Sequence, residues 1–409
     1  MSATAILNKI LPIVSPNMHK SRLKALSACV LSLAEGSFCS VTNIGRGIRS
    51  KAFEKHRIKR SDRLLSNHSL RQEALTIYAS MCQIFIPQKQ PIISVDWSDL
   101  DARGEHFLIR ATTAFEGRPI TLYEEVHDRL TKEKSKTHKY FLKRLKALIP
   151  DTAKPVIVTD AGFKTPWLDA VADLGWDYVG RVRKPRKYYD QKKQSWRCIS
   201  TLYPKASSRP KRISLIHRQT NPITNKFVLY KSQPKGRHST NQKGKIRTSK
   251  TSLTAARGAK DPWLLVSSLP VNRHFSKRCV NAYKTRMQIE EGFRDMKSCR
   301  FGLGFEQNNT RKMDRLKNLI LLTTLASMIL ILIGSVVASI GYSYRFQSNS
   351  TRSRRVLSYF YLGKRAIHTD LNIPQADWNT TVCRSTWGLG MLIKFVGIPQ
   401  HLTPIARIG

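Results

Sequence analysis

Three acidic residues stand where the chain's own pattern would deliver a carboxylate for chemistry. Asp96 follows the apolar strand-like run in IISVDWSDL, Asp160 ends another in PVIVTDAGF, and Glu290 lies in AYKTRMQIEEGFRDMKS. Carboxylates brought by two strand ends and one helix are hard oxygen donors. They suit two Mg²⁺ (or Mn²⁺) ions held about 3.5–4 Å apart, with coordination positions left for water and phosphate. Each aspartate alone would be an ordinary strand-end or turn residue. Jointly, in a chain with only 27 acids against 71 Lys and Arg, they point to a metal-assisted site.

The glutamate comes with three companions. Helical pattern runs from Ser276, a good N-cap, to about Ser298, and at about 100° per residue Tyr283, Arg286, Glu290 and Lys297 share a strip roughly 60° wide. Ala282, Ile289, Phe293 and Met296 form the adjoining stripe and should face the core. Glu291 and Asp295 are rotated by about 100° or more from Glu290. The expectation is that Glu290 borders the buried face and Glu291 is solvated. A surface ladder of ion pairs would have the same composition.

The elements that position these residues are legible in outline. Between Pro91 and Arg183 come IISVDW (92–97), HFLIRATTAF (106–115) and ITLYEEV (120–126), with EGRP turning the hairpin. An amphipathic helix (136–150), a buried-type strand (155–163), a helix (165–175) and a strand (177–183) follow. That order is of an α/β domain with a mixed sheet and matches the ribonuclease H-like architecture. Short strands in RISLIHR, KFVLYKS and PWLLVSSLP, separated by basic loops, make 184–270 a β-rich insertion. The stretch 231–260 has no acid and reads as a surface loop. The expected division is 1–85, a helical DNA-binding domain; 86–183, the first part of the catalytic core; 184–270, the insertion; 271–345, the second part of the core; and 346–409, a helical C-terminal region that could serve dimerisation.

Composition narrows the partner. A net charge of +44 over 409 residues calls for a polyanion, nucleic acid before an anionic membrane. Within VTNIGRGIRSKAFEKHRIKRSDR, Arg57, Lys59 and Arg60 are candidate DNA contacts on a helical module; a solvated basic face is the alternative. Seven cysteines without a C-x-x-C or Cys/His cluster exclude a zinc framework and fit a reducing cytoplasm. No signal peptide is read at the N-terminus. The uncharged run Leu319–Ile340 is long enough to span a bilayer, or to be the central helix of a large domain.

VDWSD, TDAGFKTPW and the Y-x2-R-x3-E-x6-K series of Tyr283, Arg286, Glu290 and Lys297, with HRIKRSDRLL upstream, resemble the DDE transposases of bacterial insertion sequences, in the IS four family with its YREK signature. The resemblance covers nearly the whole chain. It implies that Asp96, Asp160 and Glu290 are a metal-binding catalytic triad. Tyr283, Arg286 and Lys297 would then hold the DNA strand beside it. It implies cut-and-paste transposition by a DNA-bound homodimer in the bacterial cytoplasm, on the nucleoid and not in a membrane, with two Mg²⁺ ions and double-stranded transposon-end and target DNA as partners. Water cuts one strand, the freed 3′-OH makes a hairpin on the opposite strand, a second water opens it, and the 3′-OH joins target DNA. Trp263 resembles the tryptophan that stacks a flipped base in relatives, with a β-core role as the alternative. Arg183 would contact the transposon end. Met287 departs from relatives that carry tryptophan there. The apolar run would be a helix buried in the catalytic domain. An inactive end-binding repressor is the competing function.

Overall fold

The computed structural model describes residues 3–86, 89–219, 223–232, 245–246, 248–250, 252–254, 261–351 and 353–372. The chain divides into two compact units, one made of 1–153 and 287–409, the other of 154–286.

The first unit begins with helices α1 (Ala3–Val14), α2 (Lys20–Ala34), α3 (Val41–Gly47), α4 (Glu54–Leu65) and α5 (His68–Phe85). Ser40 caps α3 by accepting the Asn43 N–H, as its residue type favours. The Gly-Arg-Gly read from sequence as a break is instead the last turn of α3. A side chain at Gly45 would collide with the Ile58 backbone of α4, so the glycine is what lets the two helices touch. An antiparallel meander follows, β1 (Ile92–Asp99), β2 (His106–Phe115) and β3 (Arg118–Asp128), in the order β3-β2-β1. The β2–β3 turn consists of Glu116 and Gly117, both at positive φ, as a two-residue hairpin needs. Helix α6 (Ser135–Leu148) turns Phe141, Leu142 and Leu145 inward.

The second unit opens with β4 (Val156–Thr159), α7 (Thr165–Asp173) and β5 (Asp177–Val182), in which β4 and β5 run parallel across a helical crossover. Strands β6 (Lys187–Asp190), β7 (Ser195–Cys198), β8 (Lys211–His217), β9 (Ile223–Tyr230) and β10 (Trp263–Ser267) extend the sheet antiparallel in the order β4-β5-β10-β9-β8-β6-β7. The hairpin β6–β7 was not anticipated. Most of the basic stretch 231–260 lies outside the described residues. Helix α8 (Phe275–Thr285) closes the unit, packing on β4, β5 and β8–β10.

The chain then returns to the first unit with α9 (Met287–Lys297), α10 (Met313–Ser339) and α11 (Tyr359–His368). The single helix expected from Ser276 to Ser298 is thus two helices that break at Arg286, and the first has His274 rather than Ser276 at its N-cap. The apolar run is the core of α10, buried from Leu319 to Val337 save for the half-buried Ser327, by its neighbours α2, α11 and β3 among others. By length and composition α10 could cross a membrane, but 94% of its most apolar window is buried inside the protein. An apolar helix without a polar face is what a protein interior accommodates. Residues 373–409, and with them most of the region proposed for dimerisation, lie outside the described residues.

Candidate active site

In the first unit, Asp96 sits half-buried in β1, and its Oδ1 accepts the Trp97 N–H at 2.9 Å. Alternation sends Trp97 the other way, where its Nε1 donates to His138 Nε2 at 3.1 Å and its ring meets His127. His138 is therefore an acceptor. Burial, followed by the charge of His127, lowers its pKa to about 4 and keeps the ring neutral. Asp99 is exposed and pairs with Lys132 at 3.2 Å. Neither Trp97 nor Asp99 shares the face of the strand that carries Asp96.

Glu290 lies in the first turn of α9, which packs on all three strands of the meander, β1 with its Asp96 included. Ile289, Phe293 and Met296 are buried as their stripe requires. The two adjacent glutamates, however, differ from the expected burial: Glu290 is exposed and Glu291 half-buried. The cause is Arg118 of β3. Its Nε pairs with the buried Asp295 at 2.5 Å and its Nη1 lies 3.7 Å from Glu291, which also contacts Arg294. Burial pushes the Asp295 carboxyl up to about 6 against the pull of Arg118. Lys297 is half-buried, and burial lowers its pKa, helped by Arg110 and opposed by Asp99 and Glu306.

In the second unit, Asp160 immediately follows β4, with its Oδ1 accepting the Gly162 N–H at 2.8 Å. Tyr283 of α8 is buried. Its ring meets Trp263 edge-on at 4.8 Å, and the Arg286 guanidinium lies 5.7 Å from its centre. Burial raises the tyrosine pKa; Arg286 and Arg181 lower it and Asp160 raises it, so these groups share one neighbourhood. Trp263 is half-buried and also touches Tyr230 at 5.5 Å, so it contributes to packing while keeping part of its surface open. Arg183 and Lys184 converge on Asp261 at 3.8 and 3.6 Å. With Lys164, Arg186, Lys187 and Arg218 they line a cleft of about 890 Å³.

The three basic candidates of the N-terminal helices separate. Lys59 is exposed. Arg57 turns inward and donates from Nη1 to the Arg46 and Ile48 carbonyls at 3.0 and 2.9 Å, finishing the C-terminal end of α3. Arg60 faces α2, near enough to lower the Cys29 pKa against the larger effect of burial.

The structure thus groups Asp96, Glu290 and Lys297 in one unit and Asp160, Tyr283, Arg286, Trp263 and Arg183 in the other. Among the described residues no three His, Cys, Asp or Glu side chains are gathered closely enough to hold a metal ion. In donor type the three carboxylates fit one, being hard oxygen ligands. Sequence reasoning missed Arg110 and Glu124, although HFLIRATTAF displays openly a single arginine in an apolar strand; Glu124, beside Glu125 in ITLYEEV, gives no such signal.

Residues 87–329 match the family described as Transposase DDE domain, more than half of the chain, and the protein belongs to that family. It is a DDE transposase, an enzyme of DNA transposition that acts on DNA, and DDE transposases generally use divalent metal ions. No curated relative matches the sequence.

Proposed function

We propose that this is a cut-and-paste transposase of the IS four family, similar in motif to the transposase of the tetracycline-resistance transposon, with a ribonuclease H-like core and Asp96, Asp160 and Glu290 as its triad. The observation that carries the reading is the placement of Glu290. It stands in the first turn of a helix lying on the strand that carries Asp96, while Asp160 ends the first of two parallel strands. The meander followed by a parallel pair supports the fold assignment. Two Mg²⁺ ions would supply an activated oxygen nucleophile and charge stabilisation at phosphorus.

The chain's own groups do the rest. Asp96 and Asp160 are oriented by neighbouring N–H donors, so their carboxylates need little reordering. Arg286 and Lys297 hold the phosphates of the cut strand. Trp263 offers a face to a base displaced while the strand end is a hairpin. Arg183 and Lys59 contact the DNA backbone, which fixes register without reading sequence. Every step is an in-line displacement at phosphorus, so one site serves cleavage, hairpin formation and joining by exchanging the nucleophile. The working form is a homodimer on paired transposon ends in the bacterial cytoplasm.

The test uses duplexes bearing the inverted repeats that flank the coding region. Glu290→Ala should bind them as wild type and lose divalent-dependent cleavage by at least about 10,000-fold, the order of loss when one member of a catalytic unit is removed. Glu291→Ala, which loses only partly exposed ion pairs, should cleave nearly normally. Equal loss from both substitutions would refute the assignment.

A further inference from the structure

We infer that Arg110, anchored by Glu124, is a positioning residue that sets the candidate acids Asp96 and Glu290 against one another. This rests on the reading of those acids as catalytic. Asp96, Arg110 and Glu124 are directly opposed on three adjacent strands, Asp96 facing Arg110 and Arg110 facing Glu124. Opposed residues project to the same side of a sheet, so the three form one row of acid, base and acid. Arg110 and Glu124 are both nearly inaccessible, 4% and 6% exposed.

The row is held from every side. Arg110 Nε donates to Glu124 Oε2 at 2.7 Å. Glu124 Oε1 accepts from Tyr78 of α5 at 2.8 Å and from Thr324 of α10. On the side of α9, Arg110 Nη2 lies 3.3 Å from Met296 Sδ, and the guanidinium lies 5.1 Å from the Phe293 ring centre. Phe293 and Met296 come three and six residues after Glu290, on the same helix. The planar fork therefore sets where α9 rests on the meander, beside the strand position occupied by Asp96.

Stability alone does not require such a pair. Removing two charges from water is costly, and apolar residues of similar volume often hold a core as well or better. A rigid guanidinium does what an apolar side chain cannot: it ties the register of one helix to one strand row and puts a fixed positive charge next to a metal-binding acid.

The test compares the full-length Arg110→Met/Glu124→Leu variant with wild type, alongside Arg110→Lys and Glu290→Ala. Measured are urea unfolding, binding of end DNA, the Mg²⁺ dependence of cleavage, and Mn²⁺ affinity from loss of the free-ion electron paramagnetic resonance signal. The double variant should fold and bind DNA as wild type but unfold at lower urea, because Glu124→Leu leaves the buried Tyr78 and Thr324 hydroxyls without their acceptor. Its metal affinity or its cleavage rate should fall by about 10- to 100-fold, the range for outer partners of metal ligands. Arg110→Lys should unfold near wild type and show an intermediate loss, because it keeps the charge and loses the fork. If the double variant does not fold, Arg110→Lys decides. Wild-type metal affinity and cleavage in a folded variant would overturn the inference while Glu290→Ala is dead; an active Glu290→Ala would overturn the site itself.

Discussion

Replacing Gly334 by alanine should cost this protein about 3 kcal/mol, the upper end of what overpacking a core costs. Gly334 lies in α10 where α11 crosses it. A Cβ there would overlap the Tyr359 carbonyl oxygen and come within 2.5 Å of its carbon and 2.9 Å of Gly363 N. Gly363 is the reciprocal position, since its Cβ would overlap the Leu330 carbonyl oxygen and lie 2.7 Å from the carbonyl carbon. Ordinary close C–H···O contacts are about 3.3–3.6 Å, so the helices must part by about 1.5 Å. All the obstructing atoms are backbone, so no rotamer change relieves the clash. Nor can α10 retreat, because Leu325, Ile329, Leu332 and Val336 are buried on its opposite side in a close-packed interior.

Urea unfolding followed by circular dichroism measures the effect. Ser335→Ala is the control at the adjacent residue. Its hydroxyl bonds only to Leu332 O of its own helix at 2.7 Å, and its loss should cost at most about 1 kcal/mol. Gly334→Ala/Gly363→Ala should cost less than the sum of the single changes, because both act on the same crossing and the first already separates it. A Gly334→Ala protein within about 0.5 kcal/mol of wild type would mean that the two backbones do not meet as the structure has them.

Other expectations concern titration and DNA contact. The folded pKa of His138, about 4, lies below its ordinary 6.5, so the unfolded chain takes the proton first. That stability is complete above pH 6.5 and is lost as pH falls towards 4, by at most about 3 kcal/mol at 1.36 kcal/mol per unit. His138→Gln, which keeps an acceptor for Trp97, should flatten the unfolding free energy over this range; an unchanged slope would put the acid sensitivity elsewhere. Lys59→Ala should lower the salt dependence of end-DNA binding by about one counterion. Arg57→Ala should leave that slope alone and destabilise the α3–α4 pair, which a limited-proteolysis rate would register; the reverse pattern would refute the inward assignment of Arg57. Trp263→Ala should slow hairpin formation more than first-strand nicking on end duplexes, and equal slowing would leave it as a packing residue for Tyr283.

The elements that carry the candidate site could be read because they are regular. Asp96 and Asp160 follow apolar runs that could only be strands, and EGRP marked the hairpin that makes the meander. The 22 uncharged residues of α10 were ambiguous only about what surrounds them, and strands, helices and not lipid cover them here. The hairpin β6–β7 escaped because two strands of four residues are too short for alternation to register.

The relation between Glu290 and Glu291 failed for a more instructive reason. Apolar residues recur at helical spacing on both sides of Arg286, from Cys279 to Tyr283 and from Ile289 to Met296, and neither glycine nor proline marks the break. One angular count carried through it assigns both glutamates to a helix that does not exist as a unit. Within α9 alone, burial is decided by what stands opposite, and Arg118 arrives from a strand about 170 residues earlier in the chain. A helical wheel has no means of including it. The exposed position this leaves to Glu290 is compatible with a ligand that must reach metal and DNA, whereas Glu291 is held by two arginines. The two residues thus differ for the opposite physical reason to the one expected: Glu291 is set apart by its ion pairs rather than by solvent.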